Sequence, residues 1–276
     1  MTSLKTTTAV AFLSTLLLLL TSCSNNDPEK PLASARDYLQ KNDTKSATIQ
    51  VKNALQINPE LAEARYLLGT ILLKEGNASG AEIELRKALA AKYPESRVVP
   101  ELALSLLLQG QSQKVIDEFG ELQLANSGAD ASLQTTLAAA YGALRKPELA
   151  ESALNAALRA DSDHVPALLQ RARQRAAARD VEGALSIVEG ALSKDARHLD
   201  ALKFKGDLLL YGKGNADEAI ATYRKSIEVR PDFAPGHFAL LTALIQQNQL
   251  DEAGKELLEL KRLAAGNPQS EILNPQ

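Results

Sequence analysis

The 276-residue sequence predicts an all-α fold built from about seven stacked helical hairpins. Three observations carry that prediction. A small residue returns roughly every 34 positions, at Ala47, Ala81, Val115, Ala150, Ala184, Ala219 and Ala253, which is the period of a helical-hairpin repeat. Two further columns keep the same beat. The composition, 45% hydrophobic but only 4% aromatic with no Trp, supplies the small and aliphatic residues that closely packed helices need.

The second helix of each hairpin is read from its columns. Four positions after each small residue stands a larger apolar one (Val51, Leu85, Phe119, Leu154, Val188, Tyr223, Leu257), and three further on a mostly small one (Ala54, Ala88, Leu122, Ala157, Ala191, Ser226, Leu260). Those spacings put all three on one helical face. The first helix lies upstream, with a small residue at Ala35, Gly69, Ala103, Ala138, Ala172 and Gly206. A residue three later, bulkier in each case, is Tyr38, Leu72, Leu106, Tyr141, Arg175 or Leu209; the last unit has Leu241 and Leu244 there. Turns such as Glu75-Gly76-Asn77 and Gln109-Gly110-Gln111 separate the helices with residues that tolerate helix-end backbone angles. Pro59, Pro94 and Pro231 stop second helices without costing an internal hydrogen bond.

Small-x-x-bulky, then alanine, then a larger apolar residue, alanine and proline resembles the tetratricopeptide pattern, best over residues 62–94 and 201–231. The units from Ser105 to Arg197 rest on period rather than motif. The resemblance implies a right-handed superhelical solenoid over residues 31–267, in which each unit buries its apolar face against its neighbours. It also implies a protein-protein interaction scaffold rather than an enzyme.

The N-terminus is a separate matter. Lys5 precedes an apolar run over residues 9–20 that is short for a bilayer span, so residues 1–22 read as a signal peptide. Leu20-Thr21-Ser22-Cys23, ending in the sole cysteine of the chain, resembles the lipobox at which bacterial prolipoproteins are cleaved and acylated. That resemblance implies lipid on Cys23, a tether over residues 23–30 and, since Ser24 rather than Asp follows, the periplasmic face of the Gram-negative outer membrane. Several acyl chains anchor far more firmly than one. With the cysteine used by lipid no disulfide remains, and the fold rests on packing.

The net charge of -3 gives no basic face for nucleic acid. Nothing in the sequence has catalytic or metal-ligating spacing. His164, His198 and His237 are far apart with no His-Glu-x-x-His helix and no second cysteine, and they read as solvated turn residues. Tyr211-Gly212-Lys213-Gly214-Asn215 lacks the order of a phosphate loop and reads as a turn with one extra residue. Acidic pairs such as Asp217-Glu218 and Asp251-Glu252 favour the positive end of a second helix. No catalytic residue, metal site or cofactor is expected. Arg171, Arg173, Arg175 and Arg179 form the one unusual charge run. Arg171 and Arg175 fall at columns that are apolar elsewhere, where their stems can cover an interface while the guanidiniums reach water or a carboxylate such as Glu182; the alternative is a site for an anionic partner.

By the family resemblance, binding falls on the concave surface lined by first helices. The candidate exposed positions there are Tyr66, Thr70, Lys74, Arg97, Leu104, Thr135, Arg173, Lys203, Asp207, Phe238 and Thr242, a mixture suited to a protein or extended peptide partner. The Lys and Asn pairing with which some family members clamp a chaperone's C-terminal carboxylate is absent from the matching positions. A finer resemblance covers Leu32-Ala33-Ser34-Ala35-Arg36-Asp37-Tyr38-Leu39, Ala54-Leu55-Gln56-Ile57-Asn58-Pro59, Glu63-Ala64-Arg65-Tyr66-Leu67-Leu68-Gly69, Gly80-Ala81-Glu82-Ile83-Glu84-Leu85-Arg86-Lys87-Ala88-Leu89, Val98-Val99-Pro100-Glu101-Leu102 and residues 113–119, and includes the lipobox. These are similar to the N-terminal part of the PrsT family, tetratricopeptide lipoproteins of exosortase and PEP-CTERM sorting systems. That implies a role in exopolysaccharide export. A pilotin-like assembly factor for a secretin or type IV pilus is the alternative. Residues 268–276 read as a tail that starts a further repeat, leaving Leu240, Leu244 and Leu257 on an uncapped last face open to self-association.

Overall fold

The computed structural model describes residues 27–265, and the fold is all-α. Among the described residues the helices pair into seven hairpins: α1 (Glu29–Gln40) with α2 (Thr44–Ile57), α3 (Ala62–Lys74) with α4 (Ala78–Ala90), α5 (Glu95–Leu108) with α6 (Ser112–Phe119), α7 (Ser127–Ala143) with α8 (Pro147–Ala160), α9 (Val165–Ala177) with α10 (Val181–Lys194), α11 (Leu199–Asp207) with α12 (Ala216–Val229), and α13 (Ala234–Gln246) with α14 (Leu250–Ala265). A π-helical turn, Leu208–Gly212, extends α11. The first helix begins at Glu29, inside the stretch that the sequence reading gives to the tether. Cys23, the signal segment and residues 268–276 lie outside the described residues.

The chain divides into two compact units, one ending at Val98 and the other starting at Val99. In the first, Leu32 and Ala35 of α1, Ala47 and Val51 of α2, and Leu68 and Ile71 of α3 share one core. In the second, one cluster gathers Val188, Tyr223, Leu240 and Leu244 from α10, α12 and α13. The predicted columns are what these cores are made of. The small residues of the second helices are buried throughout, with Ala47, Ala81, Val115, Ala184 and Ala219 fully enclosed.

Hairpin closure is a repeated local device. Each first helix gives way to a residue of positive φ: Asn42, Gly76, Gly110, Arg145, Arg179, Gly214 and Asn248, with φ between 55° and 79°. The next residue turns its N–H back onto the helix, as Asp43 onto the Tyr38 carbonyl (2.9 Å), Asn77 onto Leu72 (2.8 Å) and Asp180 onto Arg175 (2.9 Å), which satisfies a carbonyl otherwise orphaned at the helix end. Those three side chains then cap the second helix, accepting from the N–H groups of Ser46, Gly80 and Gly183. One Asp or Asn thus closes one helix with its backbone and opens the next with its side chain.

Close approach within a hairpin is set by the first-helix small column. A Cβ added to Gly206 would stand 2.3 Å from the Tyr223 ring, and one added to Gly69 2.6 Å from Leu85. Only glycine admits the facing side chain there.

Three packing expectations are corrected. In the third hairpin, α6 stops at Phe119, so Leu122 sits in the following loop rather than on the helix face. In the last hairpin, Leu240 and Leu244 are not on an open edge but buried (2% and 1% exposed), because α12 and α14 pack onto α13. Leu257 is the open one, at 44%: among the described residues no further first helix covers that column. The charged partners also differ. Arg171 hydrogen-bonds Asn155 (2.7 Å) and lies 3.4 Å from Glu151, and Arg175 pairs with Asp180 (2.9 Å), while Glu182 pairs with Lys213.

Candidate functional site: the face of the first helices

The candidate groove residues separate by unit. In the first, Tyr66 is half-buried in a stack on Tyr93, ring centroids 4.8 Å apart, and the Thr70 hydroxyl donates to the Leu67 carbonyl (2.9 Å). Lys74 and Arg97 are exposed. Tyr66 is therefore engaged with the segment that follows α4, and the Thr70 hydroxyl with its own helix. Beside them, the Arg36 guanidinium reaches from α1 to Glu63 of α3 through two contacts of 2.7 Å. The bonds from Arg36 hold the Glu63 carboxyl below its ordinary range.

In the second unit, Leu104, Thr135 and Arg173 come together on one cleft of about 370 Å³. Leu107 and Leu169 give it apolar lining, and Ser132, His164, His198 and Asp200 line it too. Thr135 contributes mainly its methyl group, since its hydroxyl is given to the Ala131 carbonyl (2.6 Å). The His164 ring is half-buried, with Nε2 enclosed and without a hydrogen-bond partner. Burial depresses its pKa, against a smaller opposing pull from Asp161, so it is neutral at pH 7.

A second cleft, about 560 Å³, lies where α9, the start of α10 and the end of α11 meet. Ala176, Val181 and Leu208 make its apolar lining; Phe204, Tyr211 and Arg179 add two rings and a cation. Asp207 lines it too. Its carboxylate accepts from the Tyr223 hydroxyl (2.9 Å) and pairs with Lys203 (2.7 Å), so both Lys203 and Asp207 are half-buried and committed to each other rather than freely exposed. Burial, and then the Asp207 charge, push the Tyr223 hydroxyl far above its ordinary range, which keeps it a donor. Arg173 divides the two clefts: it lines the first, and its guanidinium lies 5.2 Å from the centre of the Phe204 ring, which lines the second. On α13, Phe238 stands 64% exposed, and Thr242 donates back to the Phe238 carbonyl.

The sequence reading missed His164, Phe204 and Tyr211 as wall residues. It also misplaced the histidines, which are not solvated turn residues. His164 and His198 stand at the N-termini of α9 and α11, the latter accepting from the Ala201 N–H (3.3 Å), and His237 is buried between Glu256 and the Pro231 carbonyl. A signal was present for the first two: both occupy the position just before a first helix, where a side-chain acceptor is useful. Among the described residues no cluster of three or more His, Cys, Asp or Glu side chains could hold a metal ion.

Paired helices with this turn and these enclosed alanine columns define a helical-hairpin repeat protein. The tetratricopeptide repeat is matched over residues 32–97, 169–228 and 210–271, together more than half of the chain, and the chain belongs to that family. The type IV pilus assembly protein PilF of Pseudomonas aeruginosa is 32% identical across 29% of this chain; the chain spans only 37% of that curated relative. Among solved structures, a tetratricopeptide repeat protein from Parabacteroides merdae superposes with a TM-score of 0.57 at 18% identity, covering 86% of this chain and 93% of its own. PilW, a type IV pilus biogenesis factor, does so at 0.55 and 17%, covering 79% and 98%. These two likenesses show the fold.

Proposed function

We propose that this protein is a non-catalytic scaffold that binds a protein partner in the cell envelope and assists assembly of a type IV pilus or its secretin, held at the outer membrane by lipid on Cys23. The observation that carries the choice of pathway is the 32% identity to PilF, a pilus assembly protein, over a limited stretch. The repeat family supplies the binding role, and the clefts on the first helices supply its surface. The lipobox-like Leu20-Thr21-Ser22-Cys23 supports the anchor.

A second reading, an accessory of exopolysaccharide export and PEP-CTERM sorting, rests on the PrsT-like segments of the first hairpins. One experiment separates the two. The full-length protein, tagged at its C-terminus, is crosslinked in the envelope of its own cell and its partners are identified by mass spectrometry. Secretin or pilus components support the assembly reading; polysaccharide-export or sorting components replace it with the second; no envelope partner at all refutes both. Metabolic labelling with a clickable palmitate checks the anchor, with incorporation expected in the wild type and lost in Cys23→Ala.

A further inference from the structure

The four arginines of α9 and the turn that follows it resolve into two pairs with different employment. Arg171 and Arg175 are occupied by Asn155, Glu151 and Asp180. Arg173 and Arg179 have no carboxylate partner among the described residues: Arg173 lies over Phe204, and Arg179 projects from the left-handed residue that closes the helix, φ 64°. Both border the wider cleft, Arg179 directly and Arg173 through the Phe204 ring. Its one acidic lining residue, Asp207, is already neutralised by Lys203 and hydrogen-bonded by Tyr223. Between the two free guanidiniums the wall is apolar, from Ala176, Val181 and Leu208, with the Tyr211 ring 64% exposed at the mouth.

From this arrangement we infer that the cleft bordered by Arg173, Phe204, Arg179 and Tyr211 takes an extended acidic peptide of a partner protein, inserting one apolar side chain between two carboxylates. The inference rests on the scaffold reading and gives that partner a chemistry. Arg173 stands four residues before the end of α9, about 6 Å at 1.5 Å per residue, Arg179 stands two residues past that end, and each arginine side chain extends the span. In an extended peptide, residues i, i+2 and i+4 face one side and cover about 13 Å. The pattern acid-x-apolar-x-acid therefore meets a cation at each end and the apolar wall in the middle. Guanidiniums recognise carboxylates through paired charge-assisted hydrogen bonds. An acidic polysaccharide would satisfy the arginines and leave the Val181 and Leu208 wall without a partner, so a peptide is the better fit.

The test begins with selection of a random dodecapeptide phage library on the purified protein lacking its signal segment and lipid. Wild type should enrich peptides with two Asp or Glu flanking an aliphatic or aromatic residue. The best peptide, fluorescein-labelled, should bind in a salt-sensitive way and lose about tenfold or more in affinity to each of Arg173→Gln and Arg179→Gln, while Arg171→Gln retains affinity. Circular dichroism confirms that each variant is folded. Enrichment without acidic preference, no enrichment, or affinity unchanged in both variants overturns the proposal, as does arginine-dependent binding of polygalacturonate with no peptide selected. The in-cell crosslinking experiment keeps the two levels apart. A partner captured equally by wild type and by the Arg173→Gln, Arg179→Gln double variant leaves the scaffold standing and removes the acidic peptide; no partner with either protein removes the scaffold itself.

Discussion

Protonation of His237 should hold the last hairpin in place. The ring is buried, its side chain 6% exposed, with Nδ1 2.6 Å from Glu256 Oε2 on α14 and Nε2 2.9 Å from the Pro231 carbonyl before α13. A neutral imidazole has one N–H and can serve one of these acceptors; the imidazolium serves both. Burial alone would lower the pKa, but hydrogen bonds to Glu256 and Pro231 and the nearby charges of Glu256 and Glu259 overcome it and raise the value above the ordinary one. Glu259 is itself kept ionised by Arg262, and Arg224 of α12 pairs with Glu252 on the same helix, so both cations and carboxylates surround the contact. The sign follows from the direction of the shift. A group whose folded pKa is raised stabilises fully below its unfolded value, near 6.5, and the contribution disappears as pH rises through the folded value. A hydrogen bond involving a charged group contributes about 1.5–3 kcal/mol, or roughly 4–8 °C in Tm for a chain of this size at 2 kcal/mol. His237→Gln should therefore destabilise by that amount at pH 5.5 and by much less once the wild-type ring has lost its proton. Thermal melts of both proteins across pH, with the ring followed by NMR, make the measurement. A ring that titrates at or below 6.5, or a loss that is the same at every pH, refutes the reasoning.

Three further outcomes are expected. Gly206→Ala should cost about 1–3 kcal/mol in urea melts, because the new methyl meets the enclosed Tyr223 ring at 2.3 Å and the hairpin must open to admit it. Arg145→Gly should raise the unfolding free energy in urea melts by up to about 1 kcal/mol, since a left-handed non-glycine residue carries a steric cost of about that size, partly offset by the extra freedom glycine has when unfolded; a midpoint that falls would mean the Arg145 side chain makes a needed contact. Tyr223→Phe should lose about 1.5–3 kcal/mol by removing the bond to the Asp207 carboxylate, and differential hydrogen exchange should place the loosening in α11 and α12.

What was legible in the sequence was whatever the period expresses. The alanine columns, the larger residues four places on and the turns every 34 or so positions are all consequences of stacking identical hairpins, so one chain suffices to find them. Individual pairings escaped because they depend on which side chains of the facing helix come into reach, and the period does not identify those. Lys203 and Asp207 looked like open surface by register, yet they pair with each other four apart on one helix, and Asp207 accepts from Tyr223 of the next. Leu257 fits its column and is nevertheless exposed, because the covering helix belongs to a unit that does not follow within the described residues. Histidine was misread for a similar reason: the environment of His237 is made by Glu256, nineteen positions away on another helix.

The departure from the repeat at the sixth turn is more informative than the repeat. One extra residue enters before Gly214, and the chain absorbs it as the π-helical turn Leu208–Gly212, so that the Asn215 N–H bonds the Leu209 carbonyl six residues back where the other hairpins use five. The turn places Leu208, Leu209 and Leu210 all in the core and leaves Tyr211 turned outward. Tyr211 and Leu208 are both walls of the wider cleft. An insertion that merely lengthened the turn would have added a loop at no structural consequence. Here it is built into the helix beside two unpaired arginines, and deleting one residue from Tyr211-Gly212-Lys213 should restore a regular turn, withdraw the ring from the mouth and close the cleft while leaving the stacking of α11 on α12 in place.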